Sequence, residues 1–291
     1  MNDSLNENRF TESNESIDRK IKKKNIIITI LIIASILFLI AIIVLMILFF
    51  GKSDGSVKPD EKKEEKIFEY FYSTDEKDYK DKNTYENSYT LNNGTYNICA
   101  YGASALYGGR GCVMCGKFKF METTTIKYQL GGREAGGEGG FPCGETGSRG
   151  YNGAGMALIT YSNQEVLIAA GGGGGSSETA ANKGGDCEGD GEGNNGGKKG
   201  EIDKGGRSGG NGQDGKQYYG GDASYLEEES IYCGGGGGNG YFGGGSGAYG
   251  KGYGGGGGGG SNFCNSTNCY NNTEIKNKRY YSGIEIYKID E

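Results

Sequence analysis

From Ile67 onward, short segments recur in which apolar residues occupy every second position or run together. They are IFEYFYS, YNICAYGA, GKFKF with TTTIKYQL, MALITY with EVLIAA, and finally GIEIYKI. In GKFKF, Phe118 and Phe120 face one way and Lys117 and Lys119 the other. Ile126, Tyr128 and Leu130 alternate in the same manner with Lys127 and Gln129. A period of two is that of an antiparallel strand with one face buried, so these segments predict strands. No stretch after residue 50 has the three-to-four spacing of an amphipathic helix. The predicted fold is all-β, a sandwich of short strands.

One segment breaks this pattern. Ile26 to Phe50 (IIITILIIASILFLIAIIVLMILFF) is 25 residues without a charge. As a helix it would be about 37 Å long, enough to cross a bilayer with some tilt. It exceeds the ~7–15 apolar residues of a cleaved signal peptide and reads as an uncleaved signal-anchor. Arg19, Lys20, Lys22, Lys23 and Lys24 crowd its N-terminal flank, whereas Lys52 is the only basic residue in the first seven positions after it. Lys58, Lys62, Lys63 and Lys66 lie further out and soften the asymmetry. The excess still predicts a cytoplasmic N-terminus. The expected organisation is a disordered cytoplasmic tail over 1–25, a transmembrane helix over 26–50, a charged stalk over 51–66 and a glycine-rich extracellular domain over 67–291. This is a type II protein of the plasma membrane or a secretory lumen, with the membrane as its first partner.

Composition changes the picture of the outer region. The chain has 60 glycines, and only Gly51 and Gly55 precede Gly94. Average usage is roughly 7%. Two glycine-dense blocks, 171–221 and 234–260, interrupt the strands. Two prolines and the lack of a strict third-position repeat exclude collagen. Composition alone favours a flexible linker, because ordering each glycine costs on the order of 1–2 kcal/mol with no side chain buried in return. Order would require backbone to pack on backbone, as polyproline-II-like segments lying side by side can do where Cβ is missing.

The candidate chemistry is sparse. A net charge of -6 and no basic aromatic stripe give no reason for a nucleic-acid partner. With no histidine in the chain, histidine-based acid/base and metal chemistry are removed. In EVLIAAGGGGGSSE, Glu165 to Glu178, a strand runs into five glycines, but glycine returns before a helix could form and no Gly-Lys-Ser/Thr follows. It therefore lacks the helix N-terminus a phosphate loop needs. No catalytic, cofactor or metal residue is assigned, and the chain is expected not to be an enzyme.

Cys99, Cys112, Cys115, Cys143, Cys187, Cys233, Cys264 and Cys269 all fall on the expected oxidising side and read as disulfides. Cys264 and Cys269 could pair locally. Cys112-Val-Met-Cys115 has two lesser readings, a redox pair or half a zinc site. Asn93, Asn265 and Asn271 head sequons on that side. Asp186, Glu188, Asp190 and Glu192 offer carboxylates to calcium, although a solvated acidic loop is the plainer reading.

The order YNICAYGASALYGGRG, a strand ending in YQLGG, VLIAAGGGGG, glycine blocks and a closing GIEIYKI resembles the glycine-rich extracellular domain of the anaplastic lymphoma kinase and leukocyte tyrosine kinase receptors. The specific signals are the strands running into Tyr101-Gly102-Ala103-Ser104 and into Ala169-Ala170-Gly171. The resemblance covers about Ile67 to Glu291. It implies a tumour-necrosis-factor-like, jelly-roll sandwich carrying packed polyglycine helices, and by analogy a possible homo-oligomer. It does not carry kinase activity here, since these residues include no D-F-G and no kinase catalytic loop. The expected function is recognition or adhesion of an extracellular protein or glycan partner, with Tyr241, Phe242, Tyr249 and Tyr253 as contact or packing residues. The alternative is a membrane-anchored coat protein self-associating through its glycine-tyrosine blocks.

Overall fold

The computed structural model describes residues 35, 64–72, 84–140, 149–178, 181–224, 232–250, 253–271 and 280–290. The expected tail and, apart from helical Ser35, the expected membrane span lie outside the described residues, as does the stalk before Glu64. Among the described residues no helix is long and apolar enough to cross a membrane.

Ten strands follow in chain order: β1 (Glu64–Phe71), β2 (Thr84–Leu91), β3 (Gly94–Tyr101), β4 (Val113–Phe120), β5 (Thr124–Gly131), β6 (Ala157–Tyr161), β7 (Val166–Ala170), β8 (Phe263–Cys264), β9 (Cys269–Asn271) and β10 (Gly283–Ile289). Their pairings are antiparallel and build two five-stranded sheets, ordered β1-β10-β3-β4-β9 and β2-β5-β6-β7-β8. Each alternating segment in the sequence is a strand. β1 begins at Glu64, inside the charged stretch expected as stalk, and a bulge between Lys66 and Phe68 resets its register on β10.

The sheets face each other across one apolar core. Ile98, Phe118, Phe120, Ile284 and Ile286 from the first sheet meet Ile126, Tyr128, Leu130, Ile159 and Ile168 from the second. Lys117, Lys119 and Lys127 point outward, as the alternation requires. At the end where β1 and β2 lie, aromatic rings close the gap. Phe68 packs on Tyr89 with centroids 4.3 Å apart, and Tyr70 stacks on Tyr85 at 4.8 Å. Burial pushes the Tyr128 hydroxyl up to about 12, with Tyr85 and Tyr70 adding to the shift.

The glycine blocks are ordered by their own backbones. The N–H groups of Gly255 to Gly260 donate in turn to the carbonyls of Ala248, Glu192, Gly175, Gly245, Gly189 and Gly172, at 2.8–3.0 Å. Positions three apart therefore address the same neighbour, which is the period of a polyproline II helix. The carbonyls repeat the rule: Gly255 and Gly258 accept from Gly235 and Gly238, Gly256 and Gly259 from Gly197 and Gly200, Gly257 and Gly260 from Gly185 and Glu188. One extended segment is thus surrounded by six others, each backbone group paired sideways.

Such close approach leaves no room for a side chain. A Cβ on Gly257 would stand 2.0 Å from the carbonyl oxygen of Gly236, and one on Gly258 would stand 2.1 Å from that of Lys198. Glycine here serves for its missing Cβ rather than for its freedom in φ. Among the described glycines only Gly94, at 147°, and Gly193, at 89°, have positive φ. Gly171 to Gly175, directly after β7, are buried in this lattice, where their N–H groups are bonded to Asn262, Asn239, Ala103, Gly185 and Gly236.

Candidate functional site

Register makes the outer face of the second sheet legible as two cross-strand rows. One row runs Glu86, Gln129, Leu158, Ala169 and Phe263, and the other Ser88, Lys127, Thr160 and Val166. Both rows are apolar toward β7 and β8 and polar toward β2. The apolar half is covered by the glycine region: Tyr218 and Tyr241 pack, with Val166 and Phe263, against Met156, Leu158 and Ala169. The Tyr241 ring stacks on Phe263 at 4.2 Å, and Tyr218 meets Tyr241 edge-on at 6.1 Å. Burial, then Tyr241, raises the Tyr218 hydroxyl above its ordinary value.

Where this cover stops, a cleft of about 560 Å³ opens over the polar half. Its lining includes Glu86, Ser88, Lys127, Gln129, Thr160, Gln164 and Tyr218. The Gln129 amide donates to a Glu86 carboxylate oxygen at 2.5 Å, so part of the rim is already oriented. That volume lies within the ~300–1,000 Å³ of small-ligand sites.

Two walls of the cleft break a local rule. Gln164 ends the β6–β7 turn with φ 71°, its N–H donating to the Tyr161 carbonyl at 3.0 Å. Tyr218 is the second central residue of a two-residue turn closed by bonds between Lys216 and Tyr219, with φ 70°. Glycine is the ordinary occupant of both positions, and a bulky residue there costs on the order of 1–3 kcal/mol. The one other described non-glycine residue with positive φ, Glu188, lies outside the cleft lining.

The expected tyrosine contacts divide. Tyr241 and Phe242 are partly buried, with Tyr241 in the apolar cover and Phe242 edge-on to it, the packing role rather than free contact. Tyr249 is half-buried and hydrogen-bonded to Asn211, while Tyr253 is 64% exposed. Tyr219, not singled out from sequence, is 67% exposed.

The cysteines pair as Cys99–Cys115, Cys112–Cys187 and Cys264–Cys269. Cys233 is also disulfide-bonded, and Cys143 lies outside the described residues. Cys112 and Cys115 therefore belong to different bridges rather than forming a redox or zinc pair. Cys112–Cys187 ties the segment before β4 to the first glycine block, and Cys264–Cys269 closes the loop holding the Asn265 sequon. Asn93 and Asn265 are exposed, and Asn271 ends β9. The acidic run is dispersed. Asp186 accepts from the Arg110 N–H, Asp190 from Lys198 and the Lys199 N–H, and Glu192 from the Lys183 N–H. No three metal-ligating groups converge among the described residues.

On the outer face of the first sheet, Glu285 is buried. Burial alone would push its carboxyl up, but hydrogen bonds from Tyr101, Lys66 and Tyr287 outweigh it and hold the group below the usual range. Those contacts are 2.5 Å, 3.0 Å and 2.9 Å. The hydrogen bonds to Glu69 and then Glu285 raise the exposed Lys66 ammonium in turn. With every donor occupied in holding the carboxylate, this network reads as structural.

The cleft was missed in sequence because Glu86 and Ser88 belong to β2, whose polar run TYENSYTL conceals an inward set of Tyr85, Tyr89 and Leu91. Spacing alone does not reveal that Gln164 and Tyr218 would be held at glycine-type dihedrals. No protein-family model matches the chain, and comparison with curated proteins finds no match.

Proposed function

We propose that the chain is a single-pass type II cell-surface protein whose glycine-rich ectodomain mediates recognition or adhesion of an extracellular protein or glycan partner. In this reading the two sheets are a jelly-roll sandwich of the tumour-necrosis-factor type, resembling the glycine-rich domain of the receptors named above. The apolar run 26–50 supports the anchor, and three disulfides support the oxidising side of a membrane. The protein acts by binding, not by catalysis.

The observation that carries recognition is a rigid frame presenting an open cleft and exposed tyrosines. Lattice backbone is stiff because its donors and acceptors are bonded laterally, and a stiff surface loses little entropy when a partner docks. Pairing of both backbone groups within one chain, as at Gly255 to Gly260, also favours recognition over self-association through glycine-tyrosine blocks, which would need free edges.

The test uses the full-length chain in nanodiscs as bait on intact cells, extracellular matrix and immobilised glycans. Retention of a partner by at least one of these is expected. Retention by none overturns recognition, and concentration-dependent assembly of the chain alone would favour the coat reading.

A further inference from the structure

We infer that the cleft on the outer face of the second sheet is a binding site for a neutral oligosaccharide. This rests on the recognition reading and names its ligand class.

The cleft's chemistry selects among ligands. Its polar rim mixes hydroxyls from Ser88 and Thr160, amides from Gln129 and Gln164, one carboxylate from Glu86 and one ammonium from Lys127. These supply donors and acceptors side by side, the requirement of a ligand dense in hydroxyl groups. The two charges are opposite and Glu86 is engaged by Gln129, so neither an anion nor a cation meets a concentrated field. A phosphate or sulfate group would need several cations or a nest of backbone N–H groups, and Lys127 is the sole basic residue of the lining. A lipid tail would need an apolar floor, whereas Leu158 is the sole aliphatic lining residue and is largely covered. Tyr218 adds an aromatic wall on which the C–H face of a sugar ring can lie while the phenol remains a hydrogen-bonding group.

The second observation is independent of composition. In a chain with 60 glycines, two positions suited to glycine are filled by Gln164 and Tyr218, and these approach the same cleft from different elements. Tyr218 also packs on Tyr241 and Leu158, which accounts for its ring. Gln164 is exposed on the cleft wall while its backbone is held at φ 71°. Strain retained at an open polar wall is a signature of function.

Gln164→Gly separates binding from folding, because it removes the amide and relaxes the turn. The probe is a set of immobilised neutral tetrasaccharides of glucose, galactose, mannose and N-acetylglucosamine, with sulfated tetrasaccharides alongside. Full-length chain in nanodiscs is expected to bind at least one neutral member. Gln164→Gly and Lys127→Ala should each weaken that binding at least tenfold, with the thermal midpoint of Gln164→Gly unchanged or higher, while Lys119→Ala on the other sheet binds normally. The inference is overturned by binding to no neutral member, by binding to sulfated members alone, or by neutral binding that both cleft variants retain. Cell binding that survives enzymatic removal of surface glycans overturns the saccharide inference and leaves recognition standing, whereas failure to bind untreated cells, matrix and every saccharide overturns both.

Discussion

The sandwich and the glycine lattice are packed in one unit yet are held together by opposite means. In the sandwich, the strands pair only with their neighbours and the two sheets are joined by side chains such as Ile98, Ile159 and Ile286, all at 0% exposure. In the lattice, Gly255 to Gly260 bury no side chain of their own, and each residue is fixed by one donated and one accepted backbone bond to different neighbours. The first is stabilised chiefly by removing apolar surface from water. The second depends on dense hydrogen bonding and van der Waals contact between main chains, which only works if nothing protrudes. A sandwich tolerates exchange among apolar residues of similar volume, but packed lattice positions such as Gly257 and Gly258 leave no room for a Cβ.

The sharpest way to break this contrast is to add one methyl group. Gly257→Ala places a Cβ at 2.0 Å from a carbonyl held in its own hydrogen bonds, so a whole segment must move. The cost should exceed the roughly 4–5 kcal/mol that marks the exceptional end of single substitutions. Circular dichroism and retention of soluble protein would measure it, and a near-normal melting temperature would refute the lattice account.

Next comes the covalent tie between the two regions. Cys112–Cys187 spans 75 residues, and replacing both with serine should cost about 4 kcal/mol by loop-closure entropy. Limited proteolysis should then cut the first glycine block well before the strands. Equal protection of both regions would show that the tie is dispensable.

In the sandwich, Ile286→Ala leaves a cavity between the sheets and should cost about 3 kcal/mol in a urea titration. The chain should still fold, in contrast to Gly257→Ala.

The smallest effect expected is that of pH. Since the folded-state value of Glu285 lies below its ordinary one, its contribution is present above the unfolded value and is lost as pH falls through the folded value. The urea midpoint should therefore decline below about pH 4.5, the ordinary value for this carboxyl, and Glu285→Gln should flatten that decline. An acid limb identical in the variant would assign it to other carboxylates.

The strands were legible wherever one face meets the core, because alternation of residues such as Phe118 with Lys119 is imposed by burial itself. β2 escaped because its alternation is tyrosine against polar residues at a sheet edge, and β8 and β9 because two or three residues carry no period. The glycine blocks are plain in the sequence as composition, but a run of glycines has no contrast from which to read partners. Which segment lies beside Gly257 is decided by bonds between backbones, and those are chemically identical at every position. The local Cys264–Cys269 bridge was readable from its short spacing, whereas Cys112–Cys187 depends on that unreadable packing. The cleft was hidden for the same reason, since one of its walls, Tyr218, arrives from the glycine region.

The three-residue period has a consequence for how such a protein can change length. Each added residue rotates every later donor by about 120° about its segment axis, so inserting one or two residues turns each N–H toward the wrong neighbour. Only a whole turn restores the phase. A lattice segment can therefore grow or shrink in steps of three amino acids, nine nucleotides of coding sequence, while the loops between segments are free of that rule.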